Sequence, residues 1–333
     1  CLDLKSTARL LWMSDMGWVA APKIVISAAL LGATVGLAEG TPDYPDPGRQ
    51  WGLVERHGVT LLGTIPTAVR QLMHQAVDVV SQHDLGSLRG VISAGEPWNE
   101  EAWLWFFERV CRGRIPILNY GGGTECGGAS LIGSFHRPLK PCAFGSAVPG
   151  SGADVVDPEG RSCRPGETGE LVLRQPSIGL TRGLWRDPEG YLESYWRQIP
   201  GVRVQSDLAM RDEDGLWYML GRSDDTIKIA GKRTGPAEIE SMLLESGLVV
   251  EAAAVGLPDD ITGSALVCVC VPVQGAAVGD GLHRRIADLV AQRFGSPYRP
   301  KRVLLVPDLP KTRNQKIMRR LVRSVLAGTA PGD

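Results

Sequence analysis

Histidine is scarce, with five residues in 333, and none stands close enough to another to suggest a metal cluster or a histidine-based triad. The seven cysteines are scattered as well. Their only close pair, Cys268 and Cys270, falls in an apolar run where both read as small core hydrophobes, and no zinc-ligand spacing exists. Neither sign of charge dominates: 36 Lys and Arg face 37 Asp and Glu, a net charge of -1, so there is no general attraction for nucleic acid or a membrane surface. No apolar run is long enough to span a bilayer and no signal peptide is visible, so a reduced, cytoplasmic setting is expected. An initiating methionine is missing too. The chain enters at CLDLKSTARLLWMSDMGW and reads as a fragment.

What remains is ordinary globular material, 43% hydrophobic and 22% charged, long enough for two or more domains with sizeable cores. Helical and extended patterns alternate through the first half. Ile24 to Leu31, Trp51 to His57 and Pro66 to Ala76 read as helices, and Ala33 to Ala38, Val59 to Leu62 and Leu88 to Ala94 as strands. Trp103, Phe106, Phe107 and Val110 mark one face of a further helix opened by Asn99 and two glutamates, and Ile115 to Leu118 is another strand. This alternation predicts a parallel α/β layer. From about 150 to 220, turn signals at Asp157-Pro158-Glu159-Gly160 and Asp212-Glu213-Asp214-Gly215 flank short extended runs, which predicts a β-rich subdomain.

The joint comes next, at GRSDDTIKIAGKR, residues 221–233. Arg222, Asp224 and Asp225 precede an alternating Ile227 and Ile229, Gly231 breaks the run, and Lys232 and Arg233 lead to Pro236 with Glu238 and Glu240, a helix opening. Strands at Val249 to Val255, Leu266 to Val273 and Arg302 to Val306 and a helix over Leu282 to Phe294 complete a small α+β unit. The fold class is therefore α/β: a large domain over residues 1–221, incomplete if the chain is a fragment, followed by a small C-terminal domain over 222–333.

Four further segments carry chemistry. Asn119-Tyr120-Gly121-Gly122-Gly123-Thr124-Glu125 follows a strand; its glycines let backbone approach a phosphate, Thr124 offers a hydroxyl, and Glu125 supplies a hard oxygen for magnesium. A plain glycine-rich turn would look similar. Ser93-Ala94-Gly95-Glu96-Pro97 joins a strand to a helix, where a ligand can meet free backbone groups, or is a simple turn. Ser206-Asp207-Leu208-Ala209 offers a bidentate acceptor or a solvated loop carboxylate. Leu309 to Arg320, with Lys316, is a basic run whose bland reading is a solvated or nucleic-acid-facing surface. Likewise Trp18 is a ligand wall or a core stop, and the joint is a hinge or a charged strand edge.

Together these segments resemble the acyl-adenylate-forming superfamily of acyl-CoA synthetases, luciferases and peptide-synthetase adenylation domains, and the wording of the joint and of EGTPDYPDPGRQW is nearest its acetyl-CoA synthetase branch. The resemblance implies ATP, magnesium, CoA and a small-molecule carboxylate as ligands, with no nucleic acid and no membrane span. It implies Gly95, Glu96 and Pro97 on adenine, Asp207 and Arg222 on ribose, and Arg233 facing phosphate. Thr124 and Glu125 would serve the phosphates, with Glu125 on the metal. It further implies Asp224 as hinge, Gly231 on the CoA tunnel, Lys316 entering the site, and Trp18, Val19, Ala20, Ala94 and Gly122 around the acyl group.

Three departures qualify it. A Ser/Thr/Gly-rich phosphate loop with its lysine is expected upstream and is not found. Asn314-Gln315 replaces the usual small Ser-Gly pair before Lys316. Gly122 stands where acetate-specific relatives carry a tryptophan, and Ala20 and Ala94 where they carry somewhat larger residues, so an open pocket floor and a carboxylate larger than acetate are expected. The expected function is an acid–thiol ligase making acyl-CoA. The alternatives are an acetate–CoA ligase, a carrier-protein-loading adenylation domain, or a nucleotide- or CoA-binding module without turnover.

Overall fold

The computed structural model describes residues 2–73, 78–229, 232–259, 263–276, 279–312 and 316–330. The chain divides into two compact units, Cys1–Met219 and Leu220–Asp333. None of its described helices is long and apolar enough to cross a membrane.

The first unit opens with β1 (Arg9–Leu11), α1 (Ala20–Leu31), β2 (Thr34–Gly36), α2 (Arg49–His57), β3 (Leu61–Thr64), α3 (Pro66–Met73), β4 (Gly90–Ala94), α4 (Glu100–Arg109) and β5 (Ile117–Gly121). With β6 (Leu131–Ile132) and β7 (Ser146–Ala147) these strands form one sheet in the order β2-β1-β3-β4-β5-β6-β7. The first five strands run parallel and the last two pairings are antiparallel. The predicted alternation thus folds as an α/β sheet, with boundaries shifted by a few residues. Of the helix read to Ala76, residues 74–77 lie outside the described residues.

Register decides which face each residue serves. Leu62, Val91 and Ile117 are aligned across β3, β4 and β5 and join Trp51, Val54, Val69, Trp103 and Phe106 from α2, α3 and α4 in the largest core cluster. On the opposite face Leu10 and Leu61 pack with Ile24 of α1. Gly63 belongs to this second face, and a Cβ there would lie 2.1 Å from the Trp12 ring, so the glycine is the seat of that indole.

The β-rich subdomain follows as β8 (Ala153–Val156), β9 (Thr168–Leu173), α5 (Pro188–Tyr195), β10 (Arg203–Arg211) and β11 (Trp217–Arg222), its sheet ordered β11-β10-β9-β8. Strand β10 escaped the sequence reading. Its register slips between Val204 and Leu208, and a bulge of this kind destroys the alternation by which a strand is recognised.

The second unit contains β12 (Ile227–Ile229) paired with β13 (Lys232–Thr234), α6 (Pro236–Glu245), β14 (Val249–Asp259), β15 (Gly263–Pro272), α7 (Asp280–Phe294), β16 (Arg302–Leu305) and α8 (Arg319–Ala327). Ala252, Ala254, Leu266, Cys268 and Cys270 face α6 and α7 on one side of the β14-β15-β16 sheet, and Ala253, Val255, Val267 and Val269 face Val322 of α8 on the other. Burial pushes the Cys270 thiol up to about 12, so it packs as an apolar group as expected, and burial raises that of Cys111 in the first unit equally.

A buried ion pair ties this unit together. Glu240 of α6, 5% exposed, accepts from Arg319 Nε at 2.7 Å and from the Ala254 amide at 2.9 Å, with a second Arg319 contact through Nη2. One carboxylate therefore joins α6, β14 and the start of α8.

Truncating Glu240 breaks this buried ion pair and its bond to the Ala254 amide, so Glu240→Ala is expected to destabilise the second unit by about 3–5 kcal/mol in a urea melt. In the first unit Trp51, fully buried, is expected to cost about 3–5 kcal/mol as Trp51→Ala. Leu30→Ala, at a position 79% exposed on α1, is expected to stay within about 0.5 kcal/mol.

Candidate active site

In an open parallel sheet the loops leaving the carboxyl ends of the strands have free backbone groups and no neighbouring helix above them. Here Trp18 to Ala20, Gly95 to Pro97 and Gly121 to Glu125 gather beside the ends of β1, β4 and β5.

The turn after β4 begins at Gly95, whose φ of +101° favours glycine, and a Cβ there would lie 3.4 Å from the Trp18 ring. Trp18 is half-buried and stands edge-on to Trp12, with centroids 6.3 Å apart, so its ring is not sealed in the core. Val19 occupies the position before α1, and Ala20 is buried in its first turn. Glu96 has a specific local task. Its carboxylate accepts from the Thr67 amide at 2.7 Å and from Arg70 Nη2 at 3.0 Å, with the Thr67 hydroxyl as a further donor. It lies at the N-terminus of α3, where a negative charge is stabilised, and it staples the β4 turn to that helix. Arg70 also reaches Asn99 Oδ1 at 3.5 Å. Asn99 precedes α4 as expected but makes no side-chain cap.

After β5 three glycines are packed, each by a different neighbour. A Cβ at Gly121 would lie 2.4 Å from Met219 Sδ, one at Gly122 2.6 Å from the Gly128 carbonyl, and one at Gly123 2.9 Å from Glu125 Oε2 and 3.0 Å from Gln205 Nε2. At Gly122 the backbone of residues 128–130 occupies the position a Cβ would take, so the glycine lets that backbone cross close by, and the residue itself is exposed.

Thr124 to Cys126 forms a single tight turn in which Thr124 is exposed and Glu125 half-buried. The Glu125 carbonyl accepts from the Thr181 amide at 2.8 Å, and Cys126 Sγ donates to Gln205 Oε1 at 3.1 Å. Gln205 thereby links this turn to β10, the strand that carries Asp207. The structure sets aside the solvated-loop reading of Asp207, which is 8% exposed beside the bulge, following Ser206 at a φ of +59°. Beneath Gln205 lies Arg203, fully buried, donating to Gln205 Oε1 at 2.6 Å and stacked 4.4 Å from the Tyr195 ring.

The donor set fits magnesium in one limited way. Among the described residues no three His, Cys, Asp or Glu converge on a point, and at the turn after β5 Glu125 offers a hard carboxylate oxygen. Magnesium is commonly held by one or two carboxylates with substrate phosphates and water completing the shell, so this suffices when phosphate is present.

In the second unit Arg222 grips Asp224 in a forked pair, Nε to Oδ1 and Nη2 to Oδ2, both 3.0 Å. Burial works to raise the Asp224 pKa, but the hydrogen bonds and charge of Arg222 outweigh it and hold the carboxyl below the usual aspartate range. Arg233 lies in β13, paired with Lys228 of β12, and its side chain is outside the described residues, as is Gly231 altogether. Lys316 is exposed: its amide donates to Thr312 Oγ1 at 3.2 Å, its carbonyl accepts from the Thr312 amide at 2.9 Å, and Lys311 bridges Ile317. The intervening Asn314 and Gln315 are outside the described residues. The basic run is not uniformly solvated, because Lys311 pairs with Glu251 at 2.8 Å and Arg319 with Glu240.

Sequence reasoning missed Gln205, Cys126, the Thr67–Arg70–Glu96 staple and Lys23. The last had a signal, being the one charged residue in the apolar helix AAPKIVISAALL.

The profile of the AMP-binding enzyme family matches residues 1–185, and that of the AMP-binding enzyme C-terminal domain matches 238–316. An acetyl-coenzyme A synthetase of Pyrobaculum aerophilum is 40% identical over 324 residues, 96% of this chain and 48% of that protein. One of Rubrobacter xylanophilus is 40% identical over 329 residues, 98% of this chain and 51% of that protein. Among solved structures, acetoacetyl-CoA synthetase from Streptomyces lividans superposes with a TM-score of 0.85 at 26% identity, over 98% of this chain and 50% of that one. An anthranilate CoA ligase in complex with anthranoyl-AMP gives 0.82 at 26%, over 98% and 61%. The chain spans about half the length of the curated relatives it matches. With its parallel sheet, its glycine-lined turns and the two profiles accounting for most of its length, the chain belongs to the AMP-binding enzyme family.

Proposed function

We propose that the protein is an ATP-dependent acid–thiol ligase, which joins a carboxylate to AMP and then passes the acyl group to CoA. The observation that carries this reading is the linkage of the Thr124-Glu125 turn to the Asp207 strand through Gln205, because it brings a candidate phosphate donor and a candidate ribose acceptor onto adjoining elements of one unit.

In the first half-reaction a carboxylate oxygen attacks the α-phosphorus, the bond to the bridging oxygen breaks, and pyrophosphate leaves. Two anions must meet. Thr124 donates to phosphate oxygen, and Glu125 would hold magnesium, whose positive charge offsets phosphate repulsion when it is bound. Asp207 accepts from the ribose hydroxyls, and the backbone of Gly95 to Pro97 lies along adenine, with the Glu96 side chain left to its staple. Trp18, Val19, Ala20 and Ala94 border the acyl group. Lys316 is the cation offered to the growing charge on the phosphate. In the second half-reaction the CoA thiol attacks the acyl carbon and AMP leaves. A turn about Asp224 would exchange Lys316 for the backbone at Gly231, with Arg222 released from Asp224 toward ribose and Arg233 toward phosphate.

We further propose that the carboxylate is larger than acetate, a reading that rests on the small residues Ala20, Ala94 and Gly122. The relatives named as acetyl-coenzyme A synthetases favour acetate as the second reading.

The experiment is carboxylate-dependent ATP–pyrophosphate exchange on the protein as encoded, together with CoA-dependent release of AMP. Exchange without any response to CoA would point to carrier-protein loading, and nucleotide binding without exchange to a module that does not turn over. Glu125→Ala is expected to lower exchange on the order of 100- to 1000-fold while nucleotide-free stability is kept. For Lys316→Ala a similar loss of exchange is expected, with thioester formation from supplied acyl-adenylate retained; full exchange in this variant would remove Lys316 from the mechanism.

A further inference from the structure

The acyl side of this site contains a charged group that the reading above leaves without work. Lys23 lies one turn into α1 from Val19 and Ala20 and is half-buried. Its Nζ stands 4.4 Å from the centroid of the Tyr120 ring, and among the described residues no carboxylate pairs with it. Tyr120 is aligned with Ala94 across β4 and β5, so their side chains rise from the same face of the sheet, and Tyr120 is followed directly by Gly121 and Gly122. Among the described residues the buried Tyr120 hydroxyl has no hydrogen-bond partner. Lys23, Tyr120 and Ala94 thus lie together, with Ala20 one turn back on the helix of Lys23, and among the described residues the ammonium and the phenol both lack an acceptor.

Such a cluster is unbalanced as it stands. Attraction to an aromatic face offsets only part of the cost of withdrawing an ammonium from water, and a buried hydroxyl without a partner adds to that cost. Burial accordingly pushes the Lys23 pKa below the usual lysine range. An anion supplied by a ligand would offset the Lys23 deficit, pairing with the half-buried ammonium beside the Tyr120 ring.

We propose that Lys23 is a specificity-determining residue that pairs with a second anionic group on the substrate acid, so that the protein activates a diacid in preference to a plain fatty acid of the same length. This rests on the ligase reading and narrows its substrate class. No bond is made or broken at Lys23. It discriminates because a monocarboxylate would place apolar surface against an ammonium and leave it unpaired.

The test compares ATP–pyrophosphate exchange by the protein as encoded, using α,ω-dicarboxylates against straight-chain monocarboxylates of equal carbon number. Wild type is expected to favour the diacid in kcat/KM, and Lys23→Met to lower the diacid-to-monocarboxylate ratio roughly 10- to 100-fold, with partial recovery in Lys23→Arg. A ratio unchanged by Lys23→Met, with exchange continuing, overturns the proposal and leaves the ligase reading standing. An equal loss on both acids puts Lys23 on the reacting carboxylate or the phosphates and overturns it too. No exchange with any carboxylate removes the ligase reading and this inference with it. A readout independent of turnover uses reductive ¹³C-methylation, with the Lys23 resonance identified by its loss in Lys23→Met. Dicarboxylate is expected to raise the titration midpoint of that resonance and monocarboxylate to leave it in place; no response to dicarboxylate sinks the idea.

Discussion

The carboxylate of Glu96, seated at the first turn of α3 with Arg70 against it, is the constraint on which the candidate site depends. A turn leaving a parallel strand has backbone groups to offer a ligand only if something else holds it still. Three donors converge on this one side chain, at a position 16–17% exposed for both members of the ion pair, so the pair is shielded enough to matter. With the turn fixed, Gly95 can bring its backbone against Trp18, and the acyl and adenine ends of the proposed site share a wall.

A second restraint works on the turn after β5. Its glycines are not spare flexibility, because the space beside each is filled by a different neighbour, among them Met219, the backbone at Gly128 and the amide of Gln205. Gln205 bonds to the Cys126 thiol and receives a hydrogen bond from the buried Arg203, so the position of the Thr124-Glu125 turn is set by β10. The bulge that makes β10 irregular also sets Asp207 into the protein beside that network. Irregular backbone serves the site here, and regular sheet supports it.

In the second unit the same logic applies to Lys316. The lysine has little local structure, but the bridge between Lys311 and Ile317 closes its loop and the Arg319–Glu240 pair anchors the residue three positions on. Asp224 is engaged by Arg222, so releasing Arg222 to a ribose would break a charge-assisted fork already made. Under the proposed mechanism the joint therefore exchanges one partner for another, which is how two arrangements of similar free energy can coexist.

Much of this was legible in the chain itself. Alternating helix and strand patterns determined the α/β layer, the apolar run around Cys268 and Cys270 determined a core strand, and the wording of residues 119–125, 221–233 and 309–320 determined the family, because local periodicity and short motifs are properties of neighbouring residues. Tertiary structure alone decided that the backbone of residues 128–130 passes close beside Gly122, that Asp207 is buried in a bulged strand, that Glu96 binds a helix end, and that Lys23 meets Tyr120 across nearly a hundred residues. Those facts depend on which distant segments share a space, and a side chain's neighbours across a sheet leave no trace in the order of residues beside it.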